Sequence, residues 1–411
     1  MGRIILLLLS ILSAGFSGAQ TPIETGRYLA TAADCVACHT SSNGRPFVGG
    51  RPFHTPFGIL YSTNITPDKK TGIGHYTLQD FAASMRRGVG LHGNLYPAMP
   101  YTSYYRITDD DIAALYAYFM QLPAVEYVAP KNDLLFPANL RFGLKAWNLA
   151  FFDRQPVSEI AGKSPEWQRG NYLVNALGHC GECHTPRNFA FALKRDESLA
   201  GNVLEGWDAV DIRPQALQRQ GWDRASLREL FRFGASEPGA AFGEMFRVVK
   251  HSLSHLSDSD LDAMITYLLD GNETAAEASG DVGGNPGSAA DNYPEGRGDF
   301  VAYCAACHGR EGTGTTIAFA PAMDRNAGVR GENPYNTIAV ILRGLPAQRM
   351  SRTNARAGMP GFASELSDAR VAGLVNFMRT AWGDPGGEVT EDQVAKIRED
   401  LRKHGFIGEK K

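Results

Sequence analysis

All six cysteines of this chain occur in pairs, and a histidine directly follows each pair. The three segments are Cys35-Val-Ala-Cys38-His39, Cys180-Gly-Glu-Cys183-His184 and Cys304-Ala-Ala-Cys307-His308. Two thiols at this spacing can reach the two vinyl groups on one edge of a porphyrin, and the next imidazole can bind the iron. The sequence therefore predicts three covalently bound haem c groups, with these six cysteines as attachment points and these three histidines as axial iron ligands.

Paired cysteines can also have functions other than haem attachment. In an exported protein they can form disulfides, and a Cys-x-x-Cys pair can also be a thiol redox centre or half of a zinc site. Three identical pentapeptide patterns use every cysteine of the chain and leave none over. This pattern favours haem over the alternatives.

Methionines supply the candidates for the second axial ligand. A haem that carries electrons commonly has one, and methionine raises its reduction potential. Met99, Met245 and Met359 each lie beside glycine or proline shortly before a predicted helix, 60, 61 and 51 positions after the three motif histidines. These three methionines are predicted iron ligands, and Met323 and Met350 are the competing candidates in the last third of the chain.

The remaining histidines are predicted to be surface or hydrogen-bonding residues. His179, which directly precedes Cys180, is the one that could contact the surroundings of the second haem.

A similar stretch leads into each motif. The three stretches are Gly26-Arg-Tyr-Leu-Ala, Gly170-Asn-Tyr-Leu-Val and Gly298-Asp-Phe-Val-Ala. Each is predicted to be a short helix that ends at its haem, so the chain contains an internal threefold repeat.

An amphipathic helix closes each repeat, at residues 111–120, 260–269 and 370–379. Apolar residues recur there at the i, i+3, i+4, i+7 spacing. The first two helices are preceded by capping-box patterns, Thr108-x-x-Asp111 and Ser257-x-x-Asp260, whereas Arg370 replaces the acid in the third. Met264 and Met378 lie on the apolar stripes and are predicted to be core residues.

This plan predicts an all-α protein of three tandem class I cytochrome c domains, each wrapped around one covalent haem. The predicted boundaries are residues 20–153, 154–270 and 298–387. Residues 271–297 are rich in glycine, alanine and serine and are predicted to be a flexible linker. Residues 388–411 are predicted to be a charged C-terminal tail.

The N-terminal residues 1–19 have the features of a cleavable signal peptide. Arg3 precedes a short apolar run, and small residues end at Ala19. The predicted location is therefore the periplasm. The formal charge of −3 gives no basic excess for nucleic-acid binding, and no later segment has 18 uninterrupted apolar residues for a membrane span.

Several further segments are specific enough to indicate a family. They are Arg27-Tyr-Leu-Ala to Cys38-His39-Thr40, Asn64-Ile-Thr-Pro67 with Thr71-Gly-Ile-Gly74, Tyr96-Pro-Ala-Met-Pro100, Gly178-His-Cys-Gly-Glu-Cys-His-Thr-Pro-Arg187 and Met359-Pro-Gly361. Over essentially the whole mature chain, the sequence resembles the triheme cytochrome c subunit of periplasm-facing bacterial alcohol, gluconate and fructose dehydrogenases.

The resemblance implies a function in electron transfer. In that family a catalytic subunit oxidises its substrate at a flavin or at pyrroloquinoline quinone, and the cytochrome subunit passes the electrons to ubiquinone or another respiratory acceptor. Similar cytochromes also accompany molybdenum hydroxylases. The resemblance implies no catalytic residue in this chain and a peripheral position on the inner membrane, held chiefly by partner subunits. The charged C-terminal tail departs from the amphipathic end expected of members that bind the membrane, since only Val394, Ile397 and Leu401 form a thin apolar stripe.

Two other functions stay open. A haem peroxidase would need one iron with an open coordination site, and the three methionine assignments argue against it. A free periplasmic electron shuttle would need no fixed partner, and the three-domain length argues against that alternative.

Overall fold

The computed structural model describes residues 20–41, 44–152, 154, 159–271, 284–315, 320–324, 326–350, 355–383 and 387–408. Helices dominate this part of the chain and form three successive units with one common plan. The predicted signal peptide and residues 272–283 of the predicted linker lie outside the described residues.

The first unit starts at α1, where Pro22 follows the capping residue Thr21. Its other elements enclose the first Cys-x-x-Cys-His motif. The helices are α1 (Pro22–Ala32), α2 (Cys35–Cys38), α3 (Leu78–Arg87), α4 (Tyr101–Tyr104), α5 (Asp109–Gln121) and α6 (Gly143–Phe151), and the strands are β1 (Pro52–Thr55), β2 (Gly58–Tyr61), β3 (Val89–Gly90), β4 (Gly93–Asn94) and β5 (Asp133–Leu134).

The second unit repeats this order with a π-helical turn, Leu173–Leu177, between its first helix and its motif. Short 3₁₀ turns occur at Arg195–Glu197 and Leu253–His255. Its helices are α7 (Pro165–Tyr172), α8 (Gly181–His184), α9 (Pro214–Arg219), α10 (Arg224–Phe233), α11 (Gly243–His251) and α12 (Asp258–Leu268), and its strands are β6 (Asn202–Leu204), β7 (Trp207–Ala209), β8 (Ala235–Ser236) and β9 (Gly239–Ala240).

The third unit also has a π-helical turn, Phe300–Cys304, before its motif. Its helices are α13 (Pro286–Asn292), α14 (Pro294–Asp299), α15 (Ala305–His308), α16 (Ala327–Arg330), α17 (Tyr335–Arg343), α18 (Asp368–Trp382) and α19 (Glu391–Lys403), and its strands are β10 (Gln348–Arg349) and β11 (Ala355–Arg356).

Glycine lies where the first helix of a unit crosses the closing helix. A Cβ atom at Gly26 of α1 would lie 2.0 Å from the carbonyl oxygen of Ala114 on α5. A Cβ atom at Gly170 of α7 would lie 1.9 Å from the carbonyl oxygen of Ala263 on α12. Any side chain at these positions would force the two backbones apart, which explains why the repeat begins with glycine.

The third crossing corrects the predicted register of the repeat. The contact residue on α14 is Gly296, where a Cβ atom would lie 2.2 Å from the carbonyl oxygen of Gly373 on α18. The predicted equivalent, Gly298, has no atom within 4 Å of its Cβ position. The third repeat therefore starts two residues earlier than its sequence pattern indicated.

The closing helices begin one turn before their predicted apolar stripes, each behind a hydroxyl residue. The side chains of Thr108, Ser257 and Ser367 accept hydrogen bonds from the third backbone N–H of α5, α12 and α18. These contacts satisfy backbone donors that have no partner within the helix.

The acids of the two predicted capping boxes have a different role. Tyr172 donates a hydrogen bond to Asp111 at 2.5 Å, and Tyr28 donates one to Asp260 at 2.7 Å. Each pair joins the first unit to the second, and the two pairs are equivalent. The contacts therefore relate the first two units by an approximate twofold axis.

Arg370 occupies the equivalent position of the third unit, where no tyrosine of another unit pairs with it among the described residues. Its guanidinium pairs with Asp299 of the same unit, at 3.1 Å from Nε. The basic residue that departs from the sequence pattern thus forms a contact within its own unit.

The first two units share one apolar core, and the third unit has a core of its own. The fully buried residues of the shared core include Leu115, Phe119, Leu173, Leu177, Leu261 and Ile265, and those of the third unit include Phe300, Ile338, Leu342 and Leu374.

The β6–β7 hairpin connects the second unit to the third. The backbone N–H of Asp208 donates to the side-chain oxygen of Asn336 at 2.9 Å, and the amide of Asn336 donates back to the Asp208 carbonyl at 2.7 Å. The guanidinium of Arg343 lies 4.0 Å from the Trp207 ring and 4.5 Å from the Phe406 ring. These contacts anchor the third unit on the second.

The C-terminal segment is part of the third unit rather than a free tail. Val394 and Leu401 of α19 are fully buried against α17 and α18. Arg398 donates to the carbonyl oxygens of Ala363 and Leu366 at 2.6 and 2.7 Å. The thin apolar stripe therefore fills a protein core, and the charged residues of α19 other than the buried Arg398 lie toward the outer face of an amphipathic helix.

The end of the predicted linker is also helical. The helix α13 packs against α18, and the backbone N–H of Asn285 donates to the carbonyl of Thr380 at 3.0 Å. Of the predicted linker, residues 284–297 thus belong to the third unit.

Candidate haem sites

Each Cys-x-x-Cys-His motif lies at a short helix near the start of its unit. The helix α2 closely follows α1, whereas α8 and α15 come after the π-helical turns Leu173–Leu177 and Phe300–Cys304. The second cysteine comes one helical turn after the first, so both side chains can point to the same side of the turn. The six cysteines are not paired with one another. Each unit therefore presents two thiols and one imidazole from a single turn of backbone.

The motif histidines are held by one contact that recurs in all three units. The Nδ1 atoms of His39 and His184 lie 2.7 Å from the carbonyl oxygens of Thr63 and Val210. The Nδ1 atom of His308 lies 3.0 Å from the carbonyl oxygen of Pro321. Because a carbonyl only accepts, Nδ1 carries the proton, and the lone pair of Nε2 stays available for a metal.

Burial lowers the pKa of His39 and of His184, although their carbonyl contacts act in the opposite direction. The neutral form that binds iron is therefore favoured in both side chains.

A second recurring contact fixes the backbone behind each histidine. The carbonyl oxygens of His39, His184 and His308 accept hydrogen bonds from a glycine N–H at 2.7, 2.8 and 2.8 Å. The three donors all have positive φ angles, which suit glycine because it lacks a Cβ atom. They are Gly49 (φ +82°), Gly201 (φ +91°) and Gly314 (φ +75°).

Five of the six thiols, all except that of the exposed Cys307, have the properties of unreactive groups. Burial raises the pKa of Cys38, Cys180, Cys183 and Cys304 to about 12. It also raises the pKa of Cys35. A thiol redox centre needs the opposite shift, because the thiolate is its reactive form. The surroundings of these cysteines thus argue against the redox alternative.

The three predicted methionine ligands occupy equivalent places in the fold. Each follows a helix that ends at a glycine of positive φ, and then a two-stranded β-hairpin that the sequence did not predict. In chain order the glycines are Gly88, Gly234 and Gly344, and the hairpins are β3–β4, β8–β9 and β10–β11. We refer to Met99, Met245 and Met359 as the hairpin methionines.

Local backbone contacts tie these segments together. The N–H of Leu95 donates to the carbonyl of Gly88 at 2.7 Å, and Ala241 donates to Gly234 at 2.9 Å. In the third unit Met359 itself pairs with the residue after Gly344 in a β-bridge. The hairpin methionines are partly buried, and Met245 lies in the first turn of α11 rather than in a loop.

The other methionines have different surroundings. Met85, Met264 and Met378 are buried in the cores, as the stripe positions of the last two predicted. Met323 is buried in the core of the third unit, whereas Met350 packs against the core shared by the first two units. Met350 is therefore directed away from the core of its own unit.

A buried polar network joins the second motif to α4 of the first unit. Glu182, between the two cysteines of the second motif, accepts hydrogen bonds from Thr102 at 2.6 Å and from Ser103 at 2.9 Å, both on α4 of the first unit. Arg187 compensates its charge at 3.0 Å. A buried carboxylate is tolerated here because donors surround it.

His179 contacts the first motif region. Its Nε2 lies 3.4 Å from the carbonyl oxygen of Ala33, and its ring packs edge-on against Tyr104 at 5.4 Å between centroids. Tyr104 also donates to the Ala33 carbonyl, at 3.0 Å. The residues around the two motifs are thus in direct contact.

Comparisons with known proteins agree with this arrangement. A family model described as Cytochrome c matches residues 23–123, and one described as Cytochrome C oxidase, cbb3-type, subunit III matches residues 291–378. The gluconate 2-dehydrogenase cytochrome c subunit of Pantoea cypripedii is 40% identical over 397 residues, which cover 92% of this chain and 90% of that protein. This chain belongs to the family of dehydrogenase cytochrome c subunits.

Two further members show how broad the family is. The cytochrome c subunit of alcohol dehydrogenase (quinone) from Gluconobacter oxydans is 36% identical, over 92% of this chain and 82% of that protein. The fructose dehydrogenase cytochrome subunit of Gluconobacter japonicus is 35% identical, over 93% of this chain and 84% of that protein. The chain is thus an electron-transfer subunit with cytochrome c domains.

Some groups that form the sites of this cytochrome c subunit were not found from the sequence. The glycines behind the histidines follow them after 10, 17 and 6 positions, so no constant spacing marks them. The carbonyl partners of the imidazoles are backbone atoms and have no residue type to identify them. No helix among the described residues is long and apolar enough to span a membrane.

Proposed function

We propose that each unit of this cytochrome c subunit holds one haem c, so that the chain carries three. The observation that carries this proposal is the threefold recurrence of two cysteines and a histidine whose Nδ1 is held by a backbone carbonyl. The attachment residues would be Cys35, Cys38, Cys180, Cys183, Cys304 and Cys307, with His39, His184 and His308 as proximal ligands. When bound, a haem supplies a one-electron redox centre.

The hairpin methionines are the proposed second axial ligands. Their equivalent positions after three β-hairpins support one common role, and the separate surroundings of Met350 support Met359 in the third unit. Thioether ligation fills the sixth iron position and raises the reduction potential. This ligand set suits electron transfer and disfavours the peroxidase alternative.

The proposed domains follow the three units, with the linker reduced to the residues before α13. The first two units would form one rigid pair, and the network at Glu182 and His179 keeps their motifs in contact. Electrons can therefore pass between these two sites within one packed body. The chain itself would perform no substrate chemistry.

The partner is proposed to be a catalytic dehydrogenase subunit, a flavoprotein or a quinoprotein, in the periplasm. Ubiquinone or another cytochrome would be the acceptor, and the subunit would lie peripherally on the periplasmic face of the inner membrane. The relatives that are subunits of gluconate, alcohol and fructose dehydrogenases support this proposal.

Purification of the native complex tests the function. The haem absorbance should show reduction when the substrate of the copurified subunit is added, and reoxidation when a soluble ubiquinone analogue follows. A cytochrome that purifies without a partner, and is reduced equally by unrelated dehydrogenases, would instead be a free shuttle.

A further inference from the structure

The helix α6 exposes apolar side chains on the face that points away from the protein. Its inward face includes Leu144, which is buried. On its outer face Phe142 is 73% exposed and Leu149 is 91% exposed, at the i and i+7 positions of one stripe. A helix on a protein surface normally carries polar residues there, so this face lacks a partner within the described residues.

The exposed face continues over neighbouring segments. Phe136, in the turn before α6, is 78% exposed, and Phe189 of the second unit is 92% exposed. The rings of Phe189 and Phe151 lie 6.3 Å apart, but Phe151 follows Phe142 by two and a half helical turns, so this contact lies on the other side of α6. Leu135, which precedes Phe136, is also exposed, and its N–H donates to the carbonyl of Phe57 at 2.8 Å. We call Leu135, Phe136, Phe142 and Leu149 the α6 patch.

Charge distinguishes this segment from the rest of the chain. From Leu134 to Phe152 there are two cations, Arg141 and Lys145, and no carboxylate, although the whole chain has a formal charge of −3. Lys145 lies on the exposed face of α6. The flanking charges cancel in pairs, Lys131 with Asp133 and Asp153 with Arg154.

The chemistry of the patch favours lipid as its occupant. Its side chains carry no hydrogen-bonding atom, whereas protein interfaces contain about one hydrogen bond per 100–200 Å². Exposed leucine and phenylalanine beside lysine and arginine are typical of helices that lie in the interface of an anionic bilayer. The apolar stripe of α19 is buried in the third unit and is not available for this purpose.

We infer that the α6 patch inserts into the periplasmic leaflet of an anionic phospholipid membrane. This inference rests on the proposed position of the subunit at the inner membrane, and it assigns the contact to the first unit rather than to the C-terminal segment. Tyr96, three residues before Met99, donates to the carbonyl of Ala138 at 3.0 Å, so the patch also lies beside the loop of the first haem site.

Vesicle flotation of the haem-loaded chain tests the inference. The chain should float with vesicles of phosphatidylethanolamine and phosphatidylglycerol, and the double variant Phe142→Ser/Leu149→Ser should lower the bound fraction at partition equilibrium by about tenfold or more. Lys145→Gln should weaken binding to these vesicles and leave the weaker binding to phosphatidylcholine vesicles unchanged, because only the charge attraction is lost.

Controls separate lipid binding from other roles. Leu78→Ser/Val203→Ser removes two exposed apolar side chains on other elements and should bind like the parent chain. Haem absorbance and dithionite reduction of every variant report folding and redox function independently of the vesicles. Wild-type chain that does not float, or a Phe142→Ser/Leu149→Ser variant that floats fully, overturns the inference. If the Phe142→Ser/Leu149→Ser variant still bound vesicles but no longer associated with the catalytic subunit or with a second copy of the chain, the patch would be a binding site for a protein instead.

Discussion

Two glycines on α14 give a sharp test of the helix crossing. Gly296 and Gly298 are two residues apart, yet a Cβ atom at Gly296 would meet the carbonyl oxygen of Gly373 at 2.2 Å and one at Gly298 would meet nothing within 4 Å. Alanine is favoured over glycine inside a helix by about 1 kcal/mol. Gly298→Ala should therefore stabilise the third unit by up to about 1 kcal/mol.

Gly296→Ala should have the opposite effect. The obstacle is backbone, so no side chain can rotate away, and α14 must move from α18. Overpacking of this kind costs about 1–3 kcal/mol after local relaxation. The third unit is intermediate in size between domains for which each kcal/mol shifts the melting temperature by about 4–8 °C and those for which it shifts by about 2–4 °C, so the shift is roughly 3–6 °C per kcal/mol. We therefore expect the third unit to melt roughly 3–18 °C lower.

Thermal unfolding of haem-loaded wild type and both variants measures this difference. Circular dichroism follows the helices, and haem absorbance follows the ligand sphere of the third site. If the two variants had equal melting temperatures, or if Gly298→Ala were the less stable, the register of α14 on α18 would be wrong. The reasoning for the equivalent glycines of the first two units would then fail as well.

Four further predictions follow from the sites and the packing. Intact mass and haem staining of the mature chain should show three haems, and a mass increment of two would exclude one motif. Alanine at any hairpin methionine should make one haem reactive with carbon monoxide and lower its potential, whereas Met264→Ala should only reduce stability. Burial alone would raise the pKa of Asp260, but hydrogen bonds from Arg169 and Tyr28 outweigh it and lower the pKa. The contribution of this carboxylate to folding stability is thus present above the unfolded-state pKa of about 3.9 and is lost as pH falls through the lower folded-state pKa. In Asp260→Asn the folding stability followed by circular dichroism should therefore depend less on pH below about pH 4. Limited proteolysis should cut first within residues 272–283, and protection there with cleavage between the first two units would reverse this view of the linker.

The sequence predicted the parts of this molecule that depend on residue type at a fixed local spacing. The haem motifs, the closing helices and their N-cap residues all have such patterns. Each pattern lies within about two helical turns of chain. Local physical chemistry is therefore sufficient to recognise them.

The errors arose where distant segments decide the role of a residue. Asp111 and Asp260 have capping-box positions, but each accepts a hydrogen bond from a tyrosine of the opposite unit instead. Likewise Val394 and Leu401 form a thin stripe in sequence, and only the position of α17 and α18 makes that stripe core. No pattern within a single segment contains this information.

The three β-hairpins that precede the hairpin methionines were missed because each of their strands is only two residues long. Val89–Gly90 and Gly93–Asn94 are too short to alternate detectably between apolar and polar residues. The glycines that support the motif histidines were missed because their distance from the histidine varies from unit to unit.

The approximate twofold relation between the first two units has a consequence for the energetics of electron flow. Two identical subunits would place their redox groups in equal surroundings, so the two groups would have equal reduction potentials and electron transfer between them would have no driving force. Here both halves belong to one chain, and equivalent positions can differ. Ala37 in the first motif and Glu182 in the second occupy the same place between two cysteines. Arg51, which pairs with Glu244, and Arg247 converge on the Ala37 carbonyl at 3.0 and 2.8 Å, whereas the ion pair of Glu182 and Arg187 lies beside the second site. A downhill step can thus be built into a symmetric scaffold without disturbing the contacts that hold its halves together.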